Sequence, residues 1–308
     1  MKSLTIALSG NPNSGKTTIF NNLTGANQKV GNWPGVTVEK KEGKARHKEY
    51  DIKIVDLPGT YSLTPFSAEE IAARDFILTG DPDVVVNIID ASNLERSLYL
   101  AMQVAELGKP VVFVLNMADV ARSRGISIDA EQISALLNIP VVFTVGNKNQ
   151  GTDTLLDTAI NEALFASKNK KRRGIKYSGE IEKCIESVVG KLESDNLAKP
   201  ETPVRWNAVK LLEGDRIITG EFENEPELLE IVEKCRNRIE DLFQEDPEMV
   251  LTDDRYGFIA GIVKEAVSIS NKKRIDISRD IDLVLKNRIL GFPIFIFFIW
   301  AIFQLTFS

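Results

Sequence analysis

The residues whose types and spacing most clearly suggest a chemical role lie near the N-terminus, between Gly10 and Thr17, where the sequence is G-N-P-N-S-G-K-T. This segment fits G-x-x-x-x-G-K-[ST], a loop whose inward-pointing backbone N–H groups bind nucleotide phosphates. In that pattern Lys16 reaches the β- and γ-phosphates, Thr17 offers its hydroxyl to Mg²⁺, and the helix that follows directs its positive end at the anion. We therefore expect a nucleotide-binding protein in which the phosphates contact Gly10, Asn13, Ser14, Gly15, Lys16, Thr17 and Thr18.

A second element, D-L-P-G from Asp56 to Gly59, follows a short apolar run. An aspartate at the end of a strand can hold Mg²⁺ through a water, and the Gly59 N–H can sense whether a γ-phosphate is present. Asp and Gly are ordinary turn residues, so the match gains its weight from its spacing after Lys16. We predict Asp56 as a magnesium and nucleotide residue, and Gly59 as a nucleotide and catalytic one.

A third element, N-M-A-D from Asn116 to Asp119, follows another apolar run and resembles the N-K-x-D sequence that recognises guanine. A carboxylate at Asp119 can accept hydrogen bonds from both N1–H and the exocyclic amine of guanine, which adenine cannot offer. Met117 replaces the usual lysine, and its aliphatic stem can still pack on the base. Alternatively, Asn116 and Asp119 belong to a strand-end turn that binds no ligand. The phosphate-binding loop, D-L-P-G and N-M-A-D occur in the expected order, however, and this favours guanine binding. The base-contacting residues are then Asn116, Met117 and Asp119, with Thr144, Val145 and Gly146 as the last base contact.

The loop between the phosphate-binding segment and Asp56, V-G-N-W-P-G-V-T-V from Val30 to Val38, has the composition of a switch. Thr37 can bind Mg²⁺ and a γ-phosphate oxygen only when the triphosphate is present. We predict Gly35 and Thr37 as nucleotide residues and Thr37 as catalytic. Trp33 is either a partly buried loop anchor or a direct participant.

The residue after D-L-P-G is Thr60, where many guanine-nucleotide switches have a glutamine that orients the attacking water. Because phosphoryl transfer depends mostly on positioning and charge stabilisation, another group must supply these. Asn11 is the best candidate, since its amide oxygen could hold a monovalent cation against the β- and γ-phosphates. Alternatively, Asn11 only shapes the loop. Our predicted catalytic residues are Asn11, Lys16, Thr37 and Gly59.

Together, G-N-P-N-S-G-K-T, V-G-N-W-P-G-V-T-V, D-L-P-G-T-Y-S-L and N-M-A-D closely resemble the N-terminal cytosolic part of the FeoB ferrous iron transporters. The resemblance implies a GTPase G domain, a small helical domain that acts like a nucleotide-dissociation inhibitor, and a polytopic membrane domain that moves Fe²⁺. It implies Mg²⁺ and K⁺ as cofactors, with Asn11 as a K⁺ ligand and the backbone near Gly31 and Trp33 completing that site. It places the chain on the cytoplasmic side of the inner membrane. It leaves open a homo-oligomer and small cytoplasmic Feo partner proteins.

Composition narrows the class of protein. The 308 residues carry a net charge of −6, which argues against a nucleic-acid binder that works by electrostatic attraction. The two cysteines, Cys184 and Cys235, are far apart, and the chain has one histidine, which argues against a zinc or iron–sulfur site. We expect each cysteine to be a small buried hydrophobe.

Apolar runs typical of buried parallel strands alternate with helical patterns in the first part, which predicts a doubly wound α/β fold, the P-loop GTPase G domain. The expected strands are Leu4–Leu8, Ile52–Val55, Val84–Ile89, Val111–Leu115 and Val141–Thr144, and the expected helices include Ala68–Leu78, Leu94–Leu107, Asp129–Leu137 and Thr152–Phe165. After Ile175 strand patterns vanish, and a small all-α helical domain is expected with helices at Ile181–Leu192, Val204–Leu212, Glu227–Phe243 and Asp254–Ser270.

These patterns suggest four regions: a G domain at 1–167, a basic linker at 168–174, a helical domain at 175–284, and the start of a transmembrane segment at 285–308. The linker could alternatively touch anionic lipid. The last region has about 19 uncharged residues, most of one membrane helix, preceded by Lys286 and Arg288, which by the positive-inside rule places the upstream residues in the cytoplasm. We expect a piece of a longer membrane protein.

The leading hypothesis is a GTPase module that regulates an attached iron channel. A potassium-dependent GTPase associated with RNA or the ribosome is the second hypothesis, but the acidic balance and the apolar tail argue against it. A third is a GTP sensor that does not hydrolyse, which Thr60 in place of glutamine would favour.

Overall fold

The computed structural model describes residues 2–25, 28–33, 37–168, 175–199, 202–270 and 291–307. The chain forms two compact units, Met1–Ile269 and Ser270–Ser308. Of the predicted features, Gly35, residues 169–174 of the basic linker and residues 285–290 lie outside the described residues.

The first unit is built on a seven-stranded sheet with the order β2-β3-β4-β1-β5-β6-β8. Strands β4, β1, β5, β6 and β8 are parallel to one another, whereas β3 is antiparallel to both β4 and β2. The central strands β5 and β6 are rich in β-branched apolar residues and are buried on both faces, as is typical of parallel strands. The strands of this sheet are β1 (Lys2–Gly10), β2 (Gln28–Asn32), β3 (Glu39–His47), β4 (Tyr50–Asp56), β5 (Val84–Asp90), β6 (Val111–Asn116) and β8 (Val141–Phe143). A further short strand, β7 (Ile126–Ile128), lies outside it.

Helices cover both faces of this sheet. One face packs on residues of α1 and α6, and the other on residues of α2, α3 and α5. The helices are α1 (Lys16–Thr24), α2 (Ala68–Thr79), α3 (Leu94–Glu106), α4 (Ala118–Ser123), α5 (Ala130–Leu137) and α6 (Thr152–Lys168). This arrangement confirms the predicted doubly wound α/β fold, with every predicted strand and helix of the first part present.

The rest of the first unit is helical, as predicted. It contains α7 (Gly179–Ser194), α8 (Val204–Glu213), α9 (Arg216–Glu221), α10 (Pro226–Phe243) and α11 (Pro247–Ala266). The short α9 was not predicted. Its six residues are too few for a clear helical period, and the helix is set by Asp215, whose side chain accepts hydrogen bonds from the N–H groups of Ile217 and Ile218.

Two short strands were not predicted. The helix expected at Asp254–Ser270 ends at Ala266 and is followed by β9 (Val267–Ile269), which pairs antiparallel with β7. The first switch loop, expected to be irregular from Val30, is extended as far as Asn32, because β2 pairs with β3. Both strands are short and leave little periodicity of their own, and β9 in addition pairs with a strand far away in the sequence.

The two parts of the first unit share one apolar core. A single buried cluster contains Leu100 and Phe113 of the α/β part together with Ile185, Leu212 and Ile259 of the helical part. Cys184 and Cys235 are free thiols buried among these helices, as the sequence led us to expect. The helical part is therefore joined to the α/β part by packing of buried apolar side chains as well as by the covalent chain.

The second unit contains one described helix, α12 (Gly291–Phe307). Across the ranges that the structure describes, no helix has both the length and the apolar character needed to cross a membrane.

Candidate functional site

The phosphate-binding segment joins the end of β1 to the start of α1, and two glycines make its path possible. A side chain at Gly10 would place its Cβ 2.6 Å from the backbone oxygen of Ile88 in β5. Gly15 has a φ of 85°, a left-handed conformation that favours glycine, and it lies against the side chain of Asn116. Strand β5 and the side chain of Asn116 therefore leave no room for larger residues at Gly10 and Gly15, respectively.

Three buried polar atoms in this region have no hydrogen-bond partner among the described residues. They are the Oδ1 atom of Asn11, the Oγ atom of Ser14 and the Oγ1 atom of Thr60. Buried polar atoms in folded proteins nearly always have a partner, and each exception calls for an explanation. Three exceptions around one loop indicate a site shaped for a polar ligand.

The first two motifs meet between β1 and β4. The ammonium of Lys16 forms an ion pair with the carboxylate of Asp56, and both side chains are largely buried. The loop after β4 lies against the phosphate-binding segment, since a Cβ at Gly59 would be 3.5 Å from the backbone of Pro12. The structure thus brings a cation, a carboxylate and a glycine N–H together at the carboxyl ends of neighbouring strands.

Asn116, at the end of β6, fastens the phosphate-binding segment to the loop after β8. Its Nδ2 atom donates to the backbone oxygen of Ser14 at 2.9 Å, while its Oδ1 atom accepts from the Thr144 hydroxyl and the Gly146 N–H, each at 3.0 Å. Asn22 of α1 adds a further tie, with Nδ2 donating to the Gly146 oxygen at 2.7 Å. One side chain at the end of β6 therefore holds predicted site residues of the segments that follow β1 and β8.

Asp119 lies in the first turn of α4, which begins after Met117 in a left-handed conformation with a φ of 59°. One carboxylate oxygen of Asp119 accepts from the Val120 N–H at 3.0 Å, and the other pairs with Lys148 at 3.0 Å. The hydrogen bond from Lys148 is the main cause that lowers the pKa of Asp119. An ionised, partly exposed carboxylate is a hydrogen-bond acceptor only, which suits a partner with two donors.

Among the described residues of the first switch segment, Trp33 is held by packing. Trp33 is buried and meets Phe76 of α2 edge to face, with ring centres 5.3 Å apart, and the Lys40 ammonium is 4.8 Å from the indole. The indole therefore has the anchoring position that we considered for it. Gly31 lies in β2 opposite Lys40, and Thr37 is exposed.

The second switch segment, between Gly59 and α2, is held by side chains that the sequence did not identify. Gln103 of α3 accepts a hydrogen bond from the Leu63 N–H at 2.7 Å. Ser67 caps α2 and, with Glu70, forms a capping box, while Glu70 also accepts from the Ser62 hydroxyl at 2.9 Å. Lys148 was missed too, since a lysine in a short turn has no spacing signal. The capping pattern S-A-E-E at Ser67 was the one available clue.

A buried ion pair joins the second switch helix to the helical part. Arg74 of α2 donates to Asp215, the residue that caps α9, at 3.0 Å. Both side chains are almost fully buried. Because a buried charge is costly without its partner, this contact ties the position of α2 to that of α9.

A larger buried network lies nearby between α3, α8 and α11. The guanidinium of Arg255 pairs with Glu106 at 3.0 Å and also with Glu213, which Lys210 contacts at 2.6 Å. The Tyr177 hydroxyl donates to Glu106. Burial raises the pKa of Glu213, but the charges of Lys210 and Arg255 outweigh it and hold that pKa at about 2. The carboxylate of Glu213 is therefore ionised at neutral pH.

Two family models match the chain. Residues 4–159 match the family described as ferrous iron transport protein B, and residues 177–268 match the FeoB cytosolic helical domain. Among curated proteins, a fusion of Fe²⁺ transport protein A and the Fe²⁺ transporter FeoB from Porphyromonas gingivalis is 42% identical over 98% of this chain and 36% of its own length. The Fe²⁺ transporter FeoB of Escherichia coli K12 is 38% identical over 99% of this chain and 39% of its own length. The chain thus spans less than half the length of these relatives.

Solved structures are similar to most of the chain. A GDP-bound mutant of the S. thermophilus FeoB G domain is 39% identical, with a TM-score of 0.80 over 87% of this chain and 100% of that chain. The cytosolic domain of the T. maritima FeoB iron transporter in apo form is 35% identical, with a TM-score of 0.73 over 86% of this chain and 100% of that chain.

Proposed function

This chain belongs to the ferrous iron transport protein B family, and on that premise we propose that it binds GTP and hydrolyses it to GDP and phosphate. We further propose that it does so as the cytoplasmic regulatory module of a longer Fe²⁺ transporter at the inner membrane. The family has a P-loop GTPase fold, and a similar structure is described as bound to GDP.

One observation supports this function most strongly. The phosphate-binding loop, D-L-P-G and N-M-A-D meet at the carboxyl ends of adjacent strands, where open α/β sheets bind their ligands. Asn116 sets the distance between the phosphate-binding and base-binding ends. The lowered pKa of Asp119 keeps its carboxylate ionised, and we propose that this carboxylate contacts the base.

The donor atoms in the site fit both cofactors that we propose. Oxygen ligands suit Mg²⁺, and the hydroxyls of Thr17 and Thr37 with the carboxylate of Asp56 would hold it. The buried Asn11 Oδ1 atom, which has no partner among the described residues, is a suitable oxygen ligand for K⁺. Backbone oxygens near Gly31 and Trp33 would complete that site. When bound, these cations neutralise the negative charge that develops on the phosphates.

Hydrolysis requires a water oxygen to attack the γ-phosphorus while the bond to the oxygen bridging β- and γ-phosphorus breaks, and the water's protons pass to phosphate and solvent. Lys16 and the loop N–H groups would carry charge on the phosphates. The Gly59 N–H and Thr37 would orient the γ-phosphate. Thr60 has no carboxylate or amide with which to activate the water, so we propose catalysis by positioning and charge stabilisation.

The experiment that tests this proposal is phosphate release from GTP with Mg²⁺, measured in KCl and in NaCl at equal ionic strength. We expect turnover that is faster in KCl. In the Asn11→Ala variant the ratio of the two rates should fall to about one while GTP binding is retained, because only a ligand that stabilises the transition state is lost.

Near-zero rates in both salts would contradict hydrolysis and favour the non-hydrolysing sensor. If the Asn11→Ala variant kept its potassium stimulation, Asn11 would not be a cation ligand. Asn237→Ala is a suitable control, because it removes the same side chain at an exposed position of α10, outside the predicted nucleotide and cation site, and should leave the potassium stimulation unchanged.

We propose the same domain layout as the sequence suggested, with the G domain at 1–167, a linker at 168–174, a helical domain at 175–284 and the start of a membrane segment at 285–308. Within it, the buried pair Arg74–Asp215 would carry the state of the second switch to the helical domain. Homo-oligomers and small cytoplasmic partner proteins remain compatible with this layout, and we propose no nucleic-acid partner.

This relay predicts that Asp215→Asn accelerates GDP release, because the unpaired Arg74 destabilises the position of α2 seen here. Release of a fluorescent GDP analogue, followed by stopped flow, measures the rate. Asp195→Asn, which removes a partly exposed pair with Lys191 at the end of α7, is the matched control and should leave the rate unchanged. Equal rates in both variants and the parent would argue against the relay.

A further inference from the structure

A groove of about 570 Å³ lies in the helical part, apart from the nucleotide site. It runs between the segment Lys176–Ile181 and the corner where α10 ends and α11 begins. Its floor includes the buried side chains of Ile181 and Val250. The groove is therefore apolar at its base and opens to the surface.

The corner beside the groove exposes large apolar side chains. Phe243, which lines the groove, is 43% exposed, and its neighbours Leu242 and Met249 are 54% and 58% exposed. Single exposed apolar residues are common, but three on one helix corner next to a groove form a patch of the kind that marks an interaction site.

The rim of the groove is acidic. Glu245, Asp253 and Asp254 line it, and Lys176 is the one cationic side chain among the lining residues that the structure describes. Asp254 accepts a hydrogen bond from the Ser178 N–H at 2.7 Å, whereas Glu245 and Asp253 are exposed and form no ion pair within the described ranges. The same corner carries further exposed acids at Glu240, Asp241, Asp246 and Glu248.

We propose that this groove binds a Lys/Arg-rich amphipathic loop from the cytoplasmic side of the membrane portion of the same transporter. Charge complementarity supports this occupant, since cytoplasmic loops of membrane proteins are enriched in Lys and Arg. The available length also supports it, because this chain aligns with 36% and 39% of two relatives, which leaves most of each outside the aligned region. The inference rests on the proposed function only in taking the chain as the cytoplasmic module of a longer membrane protein.

The surface favours a basic protein segment over a bilayer. An anionic lipid surface would be repelled by the carboxylates at this corner. A loop with an apolar side chain can bury it against Phe243 and Val250 while its basic residues pair with Glu245 and Asp253. Aromatic anchors of this kind contribute much of the affinity of an interface, and the rim charges contribute its salt dependence.

The test uses the 308-residue chain and fluorescent peptides of about 15 residues that tile the cytoplasmic loops of the full-length transporter. Fluorescence anisotropy measures binding. We expect one Lys/Arg-rich peptide to bind, with an affinity that falls as salt rises. Phe243→Ser should weaken that binding about thirtyfold and Asp253→Asn about tenfold, the usual effects of removing an interface anchor and a charge pair.

Phe165→Ser and Glu223→Gln are matched controls, because each removes an exposed side chain of the same type outside the groove, and both should bind like the parent. The proposal fails if no tiled peptide binds, or if the controls lose as much affinity as the groove variants. It also fails if the chain binds phosphatidylserine vesicles through Phe243 while no peptide binds.

The chain's own basic segment is the alternative occupant. If peptide binding appears only after Lys170, Lys171, Arg172 and Arg173 are all replaced by serine, that segment fills the groove and the proposal is overturned. Binding of labelled GTP is measured on the same samples. Loss of GTP binding with peptide binding retained would contradict the nucleotide function alone, so the two failures can be told apart.

Discussion

Replacing Asp119 with asparagine is expected to lower the affinity for GTP about a thousandfold and to raise the affinity for xanthosine triphosphate, in line with the strong rejection shown by polar sites that lose a paired group. The carboxylate of Asp119 accepts two hydrogen bonds from guanine in the proposed complex, whereas an asparagine amide offers a donor in place of one acceptor. Xanthine has a carbonyl where guanine has its exocyclic amine, so it can accept from that donor.

Competition binding against a fluorescent GDP analogue measures both affinities. Asp51→Asn is the control, because it removes an exposed acid that pairs with Arg46 far along the chain from the base-binding motif. An Asp119→Asn variant that still preferred GTP over xanthosine triphosphate would contradict the assignment of Asp119. Lys148→Met adds a further check. Because Lys148 orients the carboxylate of Asp119 without being a proposed base contact, this variant should change the affinity for GTP little.

The second large effect concerns stability. Arg255→Leu is expected to lower the free energy of unfolding by about 3–5 kcal/mol, because it leaves the buried carboxylates of Glu106 and Glu213 without a main partner. Urea unfolding followed by circular dichroism measures the change. Arg238→Leu, which removes an exposed pair with Glu180, should cost at most about 1 kcal/mol. Equal losses in both variants would mean that the buried network adds little.

The pH dependence of this network has a definite sign. The pKa of Glu213 is about 2 in the folded chain, below its ordinary value of 4.5. A depressed folded-state pKa adds stability above the ordinary value, and that stability is lost as pH falls from there towards 2. Removing Arg255 should raise the pKa of Glu213 in the folded variant, so the variant has less of this stability to lose. The difference in the free energy of unfolding between the parent and the variant should therefore shrink as pH falls from 4.5 towards 2. A difference that stayed constant with pH would contradict the charge-based explanation.

The phosphate-binding loop, D-L-P-G and N-M-A-D could be predicted because each chemistry requires particular residue types at a fixed spacing after a buried strand. Their convergence follows from parallel strands whose carboxyl ends meet at one edge of the sheet. Asn116 shows where this reasoning stops. Its role as a base contact stays a prediction, whereas the structure shows its amide joining two loops, which no spacing rule indicates.

The contacts between the two parts of the first unit could not be predicted at all. Arg74 and Asp215 are 141 positions apart, and Arg255 and Glu106 are 149 apart. A charged residue in a helix most often faces water, so its sequence context gives no sign of burial. Only the packing of α2, α3, α9 and α11 removes these side chains from solvent.

The ladder between Ile126–Ile128 and Val267–Ile269 has a consequence for biosynthesis. A ribosome releases the α/β part first, and the backbone of Ile126–Ile128 then lacks its pairing strand until some 140 further residues have emerged, a wait of roughly ten seconds or more at ordinary elongation rates. Nascent chains halted inside that interval would present an open strand edge together with the apolar flank of α3. Such intermediates expose surface that chaperones bind. The pairing of Ile126–Ile128 can form only after Val267–Ile269 has emerged, so the first unit cannot complete its folding before that length is reached.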